Sequence, residues 1–305
     1  MRIVARAPAS VGNLGVGFDI LGAAVEAVDG AYLGDTVTVE DAAEDVFVAE
    51  GPFAHLLPSD PSTNLVLRAR DSFEASASRS ARVTLHKGLP IGSGLGSSAA
   101  SIVAAVRAFD AFFGTDESPA ASLHRMGALE GSVSGSVHYD NVGPAFLGGI
   151  QLLINEAERV SEPLPLPDWR VVLLHPGTAV STAAARAALP DSYPRAVAID
   201  HGRRVAGFVH ALHRGDLELA ARLVVDVLAE PWRADLLPHL GPARAAAGDA
   251  VVGISGSGPT VFALATSDAQ ARAVRDAWEP LIEQEAGFVR VCRIPTDGAV
   301  VEVTP

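Results

Sequence analysis

The run GLPIGSGLGSSAA, from Gly88 to Ala100, has the residue types needed to hold a chain of phosphates. Gly92, Gly94 and Gly96 alternate, so the backbone can approach a ligand closely. The alanine-rich stretch beginning at Ser97 reads as a helix, and its free N–H groups and positive dipole end would face the loop's contents. Ser97 and Ser98 add hydroxyls for phosphate oxygens, or for a Mg²⁺ ion bound to them. A helix-capping turn with spare glycines is the ligand-free alternative, and glycine spacing alone does not choose between the two. A Walker A loop is excluded, because Ser97 and Ser98 stand where it needs a lysine. A Rossmann fingerprint is excluded too: after Gly92 and Gly94 it needs glycine at 97, and the loop lies too far along the chain to open a first βαβ unit.

Other residues carry chemistry with a plainer alternative beside it. Glu130 could be an exposed helix-end carboxylate, or the single carboxylate that Mg²⁺ needs alongside a hydroxyl and phosphate oxygens. Asp140 could take a proton from an acceptor hydroxyl, or hold its loop by accepting backbone N–H bonds. Asn13 and Asp19 suit turns beside Gly12, Gly15 and Gly17. Arg186 and Arg233 could be solvated charges, or two fixed forks for a carboxylate. His138 is a structural histidine or a donor to a substrate. His175, His201, His210, His213 and His239 lack metal-ligand spacing with acidic partners and are expected to be structural.

Two further glycine-rich loops frame the first. PASVGNLGVGFD spans Pro8 to Asp19, and GISGSGPT spans Gly253 to Thr260. In that order along the chain, the three loops resemble the three signature motifs of the GHMP small-molecule kinases. Within that family the chain resembles the homoserine kinases, through HYDNVGPAFLGG (His138 to Gly149), STAAARAALP (Ser181 to Pro190) and EPWRADLLP (Glu230 to Pro238). The departures are Tyr139 for a usual proline, Gly143 for alanine, Ala229 for histidine and Trp232 for tyrosine. Those at Ala229 and Trp232 bear on the shape of the substrate pocket.

The resemblance implies an α+β, two-domain GHMP kinase fold. Its N-terminal domain is similar to domain 2 of ribosomal protein S5, and its C-terminal domain is ferredoxin-like. It implies ATP-dependent phosphorylation of L-homoserine in threonine biosynthesis. The nucleotide contacts carried over are Pro90, Ile91, Gly92, Ser93, Gly94, Leu95, Gly96, Ser97, Ser98, Gly256, Ser257 and Gly258. Mg²⁺ falls to Ser98 and Glu130, and the substrate to Asn13, Asp19, His138, Asn141, Arg186 and Arg233. Asn141 fills the place where other GHMP kinases carry an aspartate base, so Asp140 is the less favoured candidate for that role. Alternatives are a mevalonate-type GHMP kinase and an inactive nucleotide-binding sensor; the retained Ser98 and Glu130 speak against the sensor.

These residues need elements to hold them. Hydrophobic residues make up 49% of 305 and charged residues 19%, enough for a real core and too apolar for a disordered chain. The net charge of −13 leaves no basic face for nucleic acid. One cysteine, Cys292, allows neither an intrachain disulfide nor a cysteine metal cluster, which fits a cytoplasmic setting. The start MRIVARAPAS does not read as a signal or transit peptide. The uncharged stretch from Gly88 to Val106 is too rich in glycine for a bilayer helix, so no membrane is expected. A homodimer is the one protein partner considered.

Strands are expected at Ile3–Ala7, Thr36–Glu40, Val46–Ala49, Val83–His86, Gly149–Ile154, Arg170–Leu174, Ala250–Ile254, Val261–Ala265, Val289–Arg293 and Val300–Val303. Helices are expected at Ser97–Phe113, Ala196–His213, Leu217–Leu228 and Ala269–Gln284. Pro163, Pro165 and Pro167 suggest a linker at Glu156–Asp168 and hence domains 1–160 and 161–305.

Overall fold

Strand β1 (Arg2–Gly12) is buried along most of its length, because three strands line its two edges. The computed structural model covers residues 1–305, with the side chains of Val133 and Ser134 outside the described residues. In chain order there follow β2 (Leu21–Ala27), β3 (Gly34–Asp41), β4 (Val46–Glu50), α1 (Leu65–Asp71), β5 (Ala81–His86), α2 (Ser97–Phe113), α3 (Pro119–Ser134) and α4 (Val142–Leu147). Next come β6 (Ile150–Glu156), β7 (Arg159–Leu164), β8 (Arg170–His175), α5 (Thr182–Ala187), α6 (Arg195–Arg214), α7 (Leu217–Leu223), α8 (Glu230–Arg233) and α9 (Leu240–Ala246). The last elements are β9 (Val251–Ile254), β10 (Val261–Ala265), α10 (Asp268–Trp278), β11 (Phe288–Arg293) and β12 (Val300–Thr304).

The strands form one continuous sheet in the order β4-β5-β3-β1-β2-β11-β8-β10-β9. β12 lies against β1, and the β6–β7 hairpin lies against β2. All pairings are antiparallel except β4 with β5. The two faces of β8 serve different cores. Val171 and Leu173 join the large core built around α2, while Val172 and Leu174 join a smaller one under α9 and α10. Among the described residues no helix is long and apolar enough to cross a membrane.

Helix α2 is buried nearly all round, as its alanine richness requires, and it fits between glycines that both adopt left-handed backbone, Gly96 before it and Gly114 after it. Several expectations need correction. The first glycine-rich segment is strand as far as Gly12, so only its second half is a loop. Much of the expected linker is β7, with Pro163 inside the strand; β7 pairs only with β6, and on that free edge a missing N–H goes unnoticed. α7 stops at Leu223, and Asp226 turns the chain by accepting from the N–H groups of Leu228, Ala229 and Glu230. α10 stops at Trp278, because Pro280 cannot continue an α-helix.

Candidate active site

A cavity of about 440 Å³ opens where the three glycine-rich loops meet. Ile91, Gly92, Ser93, Gly94, Gly96, Ser97 and Ser98 line it on one side, with Gly256 and Ser257 of the third loop. Pro90, Leu95 and Gly258 are not in its wall. Leu95 is fully buried in the core, and its carbonyl accepts from the Ser10 N–H at 3.1 Å. The loops are tied to one another: the Ser255 hydroxyl donates to the Gly94 carbonyl at 2.7 Å, Thr260 N–H to Ser93 at 3.1 Å, and Gly256 N–H to Gly12 at 3.1 Å. Gly94 has φ +80°, and a Cβ there would stand 2.5 Å from the Ser255 carbonyl and 2.8 Å from that of Gly258. The third loop therefore demands glycine at 94 whether or not a ligand is bound.

Helix α2 aims its N-terminus into this cavity, and α3 brings Glu130 beside it. The Ser98 hydroxyl donates to Glu130 Oε1 at 2.7 Å. Burial pushes the Glu130 carboxyl above the ordinary range, against the pull of the Ser98 hydrogen bond and of the Lys87 charge. A hydroxyl and a carboxylate this close are hard oxygen donors suited to Mg²⁺ shared with phosphate oxygens. Among the described residues no three His, Cys, Asp or Glu side chains gather as a metal site.

Asp140 and Asn141 enter just before α4. The Ser10 hydroxyl donates to Asn141 Oδ1 at 2.9 Å, so the Asn141 Nδ2 is left to donate to Asp140 Oδ2 at 3.1 Å. Asp140 is buried, and its carboxyl is pushed up to about 7, chiefly by burial and further by the negative charges of Asp19 and Glu130. The carboxylate accepts from its own backbone N–H, as expected of a loop-holding aspartate, and from the Asn141 side-chain amide as well.

The cavity lining also carries a charged pair. Arg186, on α5, donates from Nη1 to Asp19 Oδ2 and from Nη2 to Asp19 Oδ1, both at 3.2 Å. His138 Nδ1 lies 3.6 Å from the same carboxylate, and burial lowers its pKa despite that charge. Asn13 has left-handed backbone; its Oδ1 accepts from Asp19 N–H at 2.9 Å and its Nδ2 donates to the Gly256 carbonyl at 3.1 Å. Arg233 is buried and donates from Nε to the Ala185 carbonyl at 3.0 Å and from Nη1 to Gly256 at 3.1 Å. Both arginines lie over the Phe18 ring, at 5.8 and 5.3 Å. All six residues expected to bind substrate thus line one cavity with the Gly92–Ser98 loop.

Sequence reasoning missed Leu57, Pro58, Asn64, Leu65, Val66 and Leu85, which give the cavity a largely apolar part of its lining. Nothing in their spacing marks them, since Asn64 reads as the cap it also is, accepting from Val66 N–H at 2.9 Å. It also missed Lys87, fully buried just after β5.

Comparison with known proteins identifies the family and the fold. Residues 64–149 match the model of the GHMP kinases N terminal domain, and residues 208–281 match that of the GHMP kinases C terminal. A homoserine kinase from Cytophaga hutchinsonii ATCC 33406 superposes with a TM-score of 0.89 at 31% identity, over 99% of this chain and 97% of that one. Streptococcus pneumoniae phosphomevalonate kinase superposes with a TM-score of 0.70 at 14% identity, over 97% and 99%. L. major mevalonate kinase, solved with R-mevalonate, gives 0.69 at 17% identity over 98% and 97%. The last two share the fold; the first shares both fold and family. The two-domain α+β fold expected from the sequence is the one these proteins have.

Proposed function

Because the chain belongs to the GHMP kinase family, whose members are phosphotransferases that use ATP, we propose that it phosphorylates the side-chain hydroxyl of L-homoserine. The observation that carries this reading is the Asp19–Arg186 pair, facing the same cavity as the phosphate loop. A carboxylate and a guanidinium side by side suit a small zwitterion, the ammonium on Asp19 and the α-carboxylate on Arg186 with Arg233.

In this reading the triphosphate of ATP lies along Ile91–Ser98, with its base toward the apolar wall at Leu57 and Val66. The acceptor hydroxyl oxygen forms a bond to the γ-phosphorus as the bond to the β-phosphate oxygen breaks; the hydroxyl proton passes to an oxygen of the transferred phosphoryl group and then to solvent, and ADP leaves. Ser98 and Glu130 would hold Mg²⁺, which supplies neutralisation of the phosphate oxygens when bound. The α2 N-terminus stabilises charge on the transferring group, and Asn141, its amide orientation set by Ser10 and Asp140, positions the acceptor. Phosphoryl transfer with a loose transition state makes little use of a base, so Asp140 acts mainly by holding Asn141. Residues 1–160 carry most of the nucleotide contacts and the acceptor contacts Asn13, Asp19, His138 and Asn141, while residues 161–305 add Gly256 and Ser257 to the first group and Arg186 and Arg233 to the second. The product, O-phospho-L-homoserine, belongs to threonine biosynthesis, a cytoplasmic setting.

A mevalonate-type substrate is the second reading, favoured by the shared fold with two kinases of that class. Such a carboxylate lacks an ammonium and would draw Arg186 away from Asp19 with nothing in exchange. The test is ADP release measured with homoserine, mevalonate, serine and threonine. Turnover with homoserine alone is expected; preference for mevalonate would overturn the assignment, and no turnover with any acceptor would favour a non-catalytic nucleotide sensor.

A further inference from the structure

The two ends of the phosphate loop are held by one buried ion pair. Asp35, on β3, accepts through Oδ1 from the N–H groups of Gly88 and Leu89, at 2.9 and 3.1 Å, where the chain enters the loop. Its other oxygen, Oδ2, takes the Lys87 ammonium and the Ser101 hydroxyl, the latter at 2.6 Å. The same ammonium donates to the Ser97 carbonyl at 2.9 Å, where the loop becomes α2. Both side chains are essentially inaccessible, with 2% exposure for Lys87 and none for Asp35.

An apolar contact could join a strand end to a helix start at far lower cost, since removing two charges from water is expensive and well-packed neutral residues often do as well. What an ion pair adds is direction: each of its atoms has a defined partner, and those partners are the loop's entry and exit. We propose that Lys87, paired with Asp35, is a positioning residue for nucleotide binding, fixing the span between Gly88 and Ser97 so that the loop amides and the α2 N-terminus converge on the phosphates. Lys87 also lines the cavity, together with Ser97, Ser98 and Glu130, so the brace reaches the space the triphosphate would fill. Burial lowers the proton affinity of Lys87 itself, while Asp35 opposes that loss and Glu130 adds to the opposition.

The inference rests on the kinase reading, and one set of measurements separates the two. Lys87→Met alone strands a buried carboxylate and is expected to unfold or melt early. The informative protein is the double variant Asp35→Asn, Lys87→Met. Its charges leave together, and the amide oxygen introduced at position 35 can still accept from Gly88 and Leu89. Melting temperature and the KM for ATP and for the acceptor are measured in parent and double variant. The expected result is a melting temperature close to the parent's, a KM for ATP raised at least tenfold, and an acceptor KM within a factor of two. A double variant with parental KM for ATP overturns the proposal, as does one that melts far below the parent, since the pair is then a device for stability. A parent that turns over no ATP ends the kinase reading and this inference with it.

Discussion

Arg186 holds Asp19 with both arms across 167 positions of sequence, each contact 3.2 Å long. Two residues expected to grip opposite ends of a substrate therefore grip each other. The pair is half-buried, so its own worth is modest. Its consequence lies in what can replace it: only a ligand with both charges re-pairs both groups.

That relationship predicts the selectivity of the acceptor site. The parent should prefer homoserine strongly over 4-hydroxybutyrate, which has the carboxylate and hydroxyl without the ammonium. Asp19→Asn should lose most of that preference, a change of about 10–150-fold in kcat/KM for one charge-assisted contact. Arg186→Lys should recover little of what Arg186→Ala loses, because an ammonium cannot make the two-pronged contact. Equal use of both substrates by the parent would mean that Asp19 meets no ammonium.

Glu130→Gln should separate turnover from stability. The carboxyl is already held above its ordinary range by burial, so removing its charge should leave the melting temperature unchanged or raised. Turnover should fall by about 10² or more, the scale of a lost charge stabiliser, with half-activation moved to higher Mg²⁺. A Mg²⁺ activation curve that superposes on the parent's would remove Glu130 from the metal site.

Asp140 predicts a pH dependence of stability. Its folded value of about 7 lies above the ordinary 3.8, so across that window the folded protein keeps a proton that the unfolded chain has released. Stability falls as pH rises through the window and stays lower above it. Asp140→Asn should melt near the parent at pH 4 and above it at pH 8, by calorimetry in both buffers. Turnover should drop less than about tenfold, against the 10²–10⁴ typical of a general base. A larger drop with homoserine binding intact would make Asp140 the base.

Gly94→Ala should loosen the join between the loops. Left-handed backbone costs about 1–2 kcal/mol outside glycine, and the two carbonyls add a collision. Denaturation midpoint and ATP affinity should fall together. A folded, fully stable Gly94→Ala protein with weakened ATP binding would mean that the ligand, and not the third loop, sets the requirement.

Much of this site is legible in the sequence because local rules mark it. Gly96 and Gly114 bracket an alanine-rich run, and α2 begins and ends where they say. The three glycine loops announce themselves by composition, and they do meet. What stays hidden depends on pairing between distant segments. Lys87 and Asp35 are an ordinary lysine and aspartate until the β3–β5 register brings them together. Pro163 reads as a break because an edge position cannot be recognised without the neighbouring strand. Of helix α3 only an end near Glu130 is legible, although Ser118 caps it and Pro119 opens it, since its glycines and serines blur the apolar stripe.

The register of β12 on β1 sets an order for the birth of the fold. Arg2 to Arg6 pair on one side with β3, close behind them, and on the other with Val300 to Thr304. Arg6 is joined to Glu302, 296 positions downstream. A chain leaving the ribosome can therefore close the first side early, while the second edge of its opening strand stays bare through the synthesis of nearly everything between. Such an edge invites pairing with other chains. Arginine at positions 2 and 6 keeps charge on that strand while its edge waits, and one of the two, Arg6, later ties β12 down through Glu302.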